Sequence, residues 1–199
     1  TKGAVFVESK NLTDNLVRLR ADAFYQKTNK DMHNRVYMPQ SMPQSMRMDN
    51  YAENELGQTG VSVQSDWQIG SRHYLIAGYE FLYDDLTKAD SHYDLVPPMP
   101  VPMTIRKANE NDGYQQMHAV YLAMETALPY DVSLNYGVRY TWVKSEVSSA
   151  SGSSTQMGPG SPAMPEMQDE GTKSSSDSRP VFNFGVNWRA SDALSLRAS

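Results

Sequence analysis

The chain has 199 residues, a formal charge of −5 and no cysteine, with hydrophobic residues at only 39% and a mean hydropathy of −0.60. A disulfide framework, a thiolate metal site and a cysteine nucleophile are excluded, and no cluster of Lys and Arg offers nucleic acid the charge neutralisation it needs. No apolar run approaches the roughly 20 residues of a membrane helix, but the weak per-strand signal of a membrane β-barrel is not excluded by that test.

In chain order, Gly3 to Ser9 is a short strand followed by the polar turn Asn11-Leu12-Thr13-Asp14. Leu16 to Lys27 alternates with period two, with Val17, Leu19, Ala21, Ala23 and Tyr25 on one side and Arg18, Arg20, Asp22 and Gln26 on the other. Phe24 falls on the polar side and breaks the pattern. From Thr28 to Asn54 the periodicity disappears and Met, Pro, Gln, Asn and Ser take over, which predicts a long loop. Alternation returns over Glu55 to Trp67, turns at Gln68 to Arg72, and continues over His73 to Asp84, where Glu80 and Asp84 oppose Leu75, Ala77, Tyr79, Phe81 and Tyr83.

A second loop is predicted over 85–114, because prolines in its PPMPVPM core have no amide hydrogen for a ladder. Met117 to Ala127 is a strand of ambiguous facing: Val120, Leu122 and Met124 compete with Ala119, Tyr121 and Ala123. After the turn Leu128-Pro129-Tyr130, the run DVSLNYGVRYTWVK sets Val132, Leu134, Tyr136, Val138, Tyr140 and Trp142 against Ser133, Asn135, Gly137, Arg139 and Thr141. Its length suits the roughly 9–11 residues of a tilted membrane-crossing strand, and its aromatics gather beside the next loop, where an interfacial girdle belongs. That third loop is predicted over 145–178. Val181 to Arg189 and Leu194 to Ser199 close the series around the turn Ala190-Ser191-Asp192.

The fold class predicted is all-β, an antiparallel up-and-down meander of about eight strands whose connections alternate short and long. Long connections collected at one end are the mark of an outer-membrane barrel. The opening TKGAVFVESK and the closing LSLRAS are both strand-like, and both ends read as cuts through a larger sheet.

The stretches LRADAFYQKTNKDM, LGQTGVSVQSDWQIGSRHYLIAGYEFLYDD, VYLAMETALPYDVSLNYGVRYTWV and FNFGVNWRASDALSLRAS resemble barrel hairpins of TonB-dependent outer-membrane receptors, down to Gly-x-Arg-Tyr at Gly137-Val138-Arg139-Tyr140. The resemblance implies a segment of a 22-stranded barrel, with the N-terminal plug domain and the TonB-contacting box absent from this chain. It further implies residence in the outer membrane of a Gram-negative bacterium, with lipid, the plug domain and the TonB energy-transducing complex as partners. The cargo implied is a scarce solute such as a ferric siderophore or haem.

The methionines stand out. Ten of the 12 fall in the predicted loops: Met32, Met38, Met42, Met46 and Met48, then Met99 and Met103, then Met157, Met164 and Met167. His33 and His92 accompany them. Thioether sulfur suits Cu(I) and imidazole suits Cu(II), so copper capture, centred on Met38, Met42, Met46 and Met48, stands beside contact with an apolar ligand and beside plain packing. His73 and His118 read as interfacial or lumenal polar residues. Arg18, Arg20, Asp22, Asp66, Glu80, Asp84, Arg139, Arg189 and Arg197 share the polar face and are expected to line a lumen. Glu166, Asp169 and Glu170 read as a solvated charge run. No phosphate-cradling glycine loop, Ser-His-Asp signature or zinc spacing is found, so neither an enzyme nor a cofactor is expected. A soluble β-rich adhesin or structural domain is the alternative of another class.

Overall fold

A computed structural model describes residues 1–38, 46–97, 103–191 and 194–198. Eight strands form one antiparallel sheet in strict sequence order: β1 (Lys2–Lys10), β2 (Leu16–Met38), β3 (Met46–Ile69), β4 (His73–Val96), β5 (Met103–Leu128), β6 (Val132–Met157), β7 (Gln168–Ser191) and β8 (Leu194–Ala198). No second sheet packs on either face among the described residues, where Ala108 and Ala119 are buried in the sheet and Pro162 and Pro165 in the segment after β6. A two-sheet sandwich, the architecture expected of the soluble alternative, is thereby set aside. The antiparallel meander of eight strands stands as the sequence predicts.

The tight turns carry their own chemistry. Tyr130 and Asp131 both adopt positive φ, 66° and 56°, between β5 and β6, and Gly70 does so at 62° between β3 and β4. Between β1 and β2 the Thr13 hydroxyl accepts from the amides of Asn15 and Leu16 at 3.3 and 2.9 Å, as Ser and Thr do in local turns. The turn predicted at Ala190-Ser191-Asp192 lies partly outside the described residues.

The predicted loops 28–54, 85–114 and 145–178 are corrected. Each is mostly strand: β2 runs to Met38 and pairs residue by residue with β3, which begins at Met46, while β4 reaches Val96, β5 begins at Met103, β6 reaches Met157 and β7 begins at Gln168. The strands β2 to β7 are 23 to 26 residues long. Period-two alternation records a difference between two environments, and in these outer halves the outward side is polar while the inward side mixes polar residues with scattered apolar ones. A sequence pattern therefore has little to detect, although the backbone ladder continues unchanged. Pro97 does end β4, as an amide without hydrogen should. Pro180, inside β7, lies where β8 does not reach, since β8 pairs only from Val186 onward.

The register assigns the faces. Val132, Leu134, Tyr136, Val138, Tyr140 and Trp142 of β6 stand directly opposite Leu128, Thr126, Met124, Leu122, Val120 and His118 of β5. On the other side Val132, Tyr136 and Val138 oppose Trp188, Phe184 and Phe182 of β7. This row continues through Tyr79 and Phe81 of β4, Val61 and Val63 of β3, Ala21 and Ala23 of β2 and Val5 and Val7 of β1. The ambiguity of β5 is thus resolved: Val120, Leu122 and Met124 take the apolar face, and Ala119, Tyr121 and Ala123 the polar one.

Phe24 also finds its reason. It stays on the polar face because its ring fills the space above Gly60 on the neighbouring strand, where a Cβ would fall 2.1 Å from it. Tyr121 covers Gly78 in the same way, with 2.2 Å to a Cβ there. An aromatic ring laid over a cross-strand glycine restores contact that the glycine lacks.

Candidate functional site

Arg18, Arg20, Asp22, Glu80, Asp84, Arg139 and Arg189 all fall on the face opposite the apolar belt, together with Asp66 and Arg197. Several form one network. Asp66, 2% exposed, accepts from Gln64 Nε2 at 2.7 Å and from the Tyr74 hydroxyl at 3.0 Å, and Arg18 Nη1 lies 3.5 Å away. Tyr121 donates to Gln64 Oε1 at 3.2 Å, and Arg139, 5.8 Å above the Tyr121 ring centroid, donates to Glu80 at 2.6 Å. At the other end Arg18 donates to Glu8, and Arg20 bridges to Asp22 at 2.6 Å while covering the Phe6 ring. The network crosses β1 to β6, and each carboxylate in it has a cation or a donor.

The belt on the opposite face has a measurable height. Between Val132 and Trp142 it spans about ten residue steps, or roughly 33 Å along the strand at about 3.3 Å each. A tilt of roughly 40° reduces that to about 25 Å, the height of the apolar band on transmembrane barrels. Both edges are marked. At one lie Trp67, Trp188 and His73, whose Nδ1 is 3.0 Å from the Thr126 hydroxyl. At the other lie Tyr25, Tyr83 and His118, whose Nδ1 is 2.8 Å from the Tyr79 hydroxyl. His73 and His118 are therefore rim residues of the apolar face.

Beyond the second edge the next row on this face is Lys27, Gly57, Asp85, Tyr114 and Glu146, and the belt ends there on five adjacent strands. Lys27 pairs with Glu55, and Lys88 bridges Glu53 at 2.8 Å and Asp90 at 3.6 Å. Further out His33, Tyr51 and His92 stack with ring centroids 4.3 and 4.6 Å apart. Asp49 is held between Arg35 and Arg47, and Asp94 accepts from Arg106 Nε at 2.7 Å and Nη2 at 2.9 Å. The stacked His33, Tyr51 and His92, with Glu53, Lys88 and Met164, line an open cleft of about 710 Å³.

The segment after β6 folds back onto this same face. Ser154 donates to the Ala163 carbonyl at 2.7 Å, Arg106 Nη1 lies 3.8 Å from Met164 sulfur, and Glu166, Pro165 and Met167 crowd the space above Gly152.

The predicted ligand residues consequently divide. Met32, Met48, Met103 and Met157 lie on the face of the Arg and Asp network, whereas His33, His92 and Met164 lie on the opposite face, and Met167 packs with Met164's segment there. Met164 lines the outward cleft together with His33 and His92, whereas Met48, Met103 and Met157 stand on the other face. Met38 and Met46 are paired in register at the end of β2 and β3. Met42 and Met99 lie outside the described residues. Glu166, Asp169 and Glu170 are exposed, with Asp169 accepting from the Gly171 amide at 2.7 Å and Glu170 from Ser151. The separation of Met32 and Met48 from His33 and His92 is legible only from the register, since they crowd the same stretches of sequence.

Acid should act on the outer cluster in two stages. Burial, and then Arg106, hold the His92 pKa below its ordinary value, about 6.5 for an unperturbed imidazole. The folded state therefore prefers neutral His92; that contribution is complete above about 6.5 and is lost as pH falls through the lower folded value. The Arg35 guanidinium depresses Asp49, whose contribution is present above the ordinary carboxylate range and lost only at lower pH still. Hydrogen exchange over the outer halves of β2 to β4 should rise in a first step below pH 6.5, tracking the His92 ring resonance. A His92 midpoint at or above 6.5 would contradict the assignment.

A single sheet with an apolar belt of bilayer height, aromatic edges and a polar network on its reverse is the wall of a membrane-spanning β-barrel. The chain belongs to the TonB-dependent receptor family: the description "TonB dependent receptor-like, beta-barrel" matches residues 7–199. Among solved structures, the ferric yersiniabactin uptake receptor FyuA from Yersinia pestis matches at a TM-score of 0.32 and 11% identity over 96% of this chain. The chain spans 42% of that receptor's length. No curated protein matches.

Proposed function

We propose that this chain forms part of the wall of a TonB-dependent receptor that imports a scarce metal-bearing solute across the outer membrane of a Gram-negative bacterium. The apolar belt meets lipid, and the opposite face, with Arg18, Arg20, Asp22, Glu80, Asp84, Arg139 and Arg189, lines the lumen and meets the plug domain. The tight turns at Gly70 and at Tyr130-Asp131 lie at the periplasmic end, and the ends of β2 to β7 that carry the methionines stand outside the cell. The TonB complex supplies the energy, and the wall takes no part in bond chemistry.

The observation that carries this reading is the sorting of side chains by register into a belt of about 25 Å and a charge-paired reverse. A ferric siderophore or haem brings its iron already enclosed and asks the rim for apolar and hydrogen-bonding contact. Copper asks for sulfur. Uptake of labelled ferric chelates, haem and copper, compared between cells with and without the receptor and with and without TonB, tests the reading. Loss of one uptake in both deletions is the expected result; uptake unchanged in either deletion for all three would refute it.

A further inference from the structure

Above the belt, the two faces of β2 to β6 differ in donor chemistry more sharply than composition suggests. Every carboxylate of these outer halves, from Asp31 through Asp49, Glu53, Asp90 and Asp94 to Glu110, stands on the outward side, as do both imidazoles. The inward side carries Asn, Ser, Tyr93, the cations Lys30 and Lys107, aliphatic residues and thioethers. At its rim Met103 lies directly opposite Met157 in register, and Met48 and Met32 occupy the same face further down β3 and β2.

Resting on the receptor reading, we propose that the inward rim is a thioether site for a soft monovalent cation, Cu(I), with Met103 and Met157 as the capture pair. Directly opposite residues bring Cβ atoms within about 5 Å, so two flexible thioethers reach a common ion. Thioether is a soft donor that favours Cu(I), while hard ferric and divalent ions favour the carboxylates that this face excludes. Met48 and Met32, singly placed, offer weaker stations below the pair, so that an ion bound at the rim is also able to leave it. The sulfurs on the other face are differently occupied: Met124 accepts from the Tyr136 hydroxyl at 2.8 Å, and Met164 lies against Arg106. The step is ligand exchange only; copper enters and leaves as Cu(I).

The test uses the receptor purified from outer membranes in detergent, titrated with Cu(I) against a competing chromophoric chelator, and with Ag(I) as a redox-inert probe. Wild type is expected to compete for both ions. The double variant Met103→Leu/Met157→Leu, which keeps volume and apolarity, should weaken both by tenfold or more while its heat-modified gel mobility and its binding of ferric chelates stay unchanged. Equal affinity in the variant, or no competition by wild type, overturns the site. If copper binding is absent but TonB-dependent uptake of a ferric chelate persists, the receptor reading stands and this inference alone falls.

Discussion

Val138→Arg is expected to destabilise the folded receptor by about 2–4 kcal/mol, the cost of arginine on the lipid face near mid-bilayer. Val138 lies close to the middle of the belt, directly opposite Leu122 on β5 and Phe182 on β7. All three face the same side, and Leu122, flanked by strands on both sides, is 50% exposed there, so on the receptor reading lipid solvates whatever stands there. A guanidinium at this height is able to reach neither edge without dragging water or thinning the bilayer. Ser133→Arg is the control. It adds the same charge on the opposite face, beside Ala127 and Asn187, and should stay within about 0.5 kcal/mol. Denaturant titrations of refolding into lipid vesicles read the difference. Equal stability for the two variants would mean that the belt does not contact lipid.

Asp66→Ala should cost about 3 kcal/mol, the scale for removing one member of a buried hydrogen-bonded charge pair. The loss exceeds that of an ordinary surface ion pair because Asp66 is nearly inaccessible and three groups depend on it. Gln64 Nε2 and the Tyr74 hydroxyl would lose their acceptor, and Arg18 would keep only Glu8. Buried donors without partners are the main penalty. Asp66→Asn separates the components: it retains an oxygen for one donor and removes the charge, and should recover about half. By contrast Arg179 and Asp177, paired at 3.0 Å but exposed, should be replaceable at little cost. The same denaturant titration, followed through tryptophan fluorescence, distinguishes these cases. Less than about 0.5 kcal/mol for Asp66→Ala would show that Arg18 and Tyr74 find other partners in the complete barrel.

The stacked rings and the ion pairs of the outer halves have a structural consequence for the whole molecule. Strands that continue for a dozen residues beyond the apolar belt need side-chain ladders on both faces, since no second sheet packs on either. The His33, Tyr51 and His92 stack and the Arg35, Asp49 and Arg47 group supply those ladders outward. Inward, Val36, Met48, Leu95 and Ile105 form one apolar row across four strands. A ladder of that kind holds register where no lipid boundary imposes it.

Within the lipid belt the amino-acid sequence by itself determined the strands, their meander and the two faces, because a side chain in lipid and its neighbour in a polar interior must differ, and period-two alternation records that difference directly. The placing of Arg18, Arg20, Glu80 and Arg139 on one face was legible for the same reason. Where that boundary ends, so does the signal: residues 28–38, 46–54 and 145–157 read as loops although they are strands, and Met and His residues that share a stretch of sequence part to opposite sides. Phe24 breaks the alternation because Gly60 stands opposite it and needs its ring. These were decided only by the register between strands, since which atoms meet across a sheet depends on pairing over distances that no local pattern encodes.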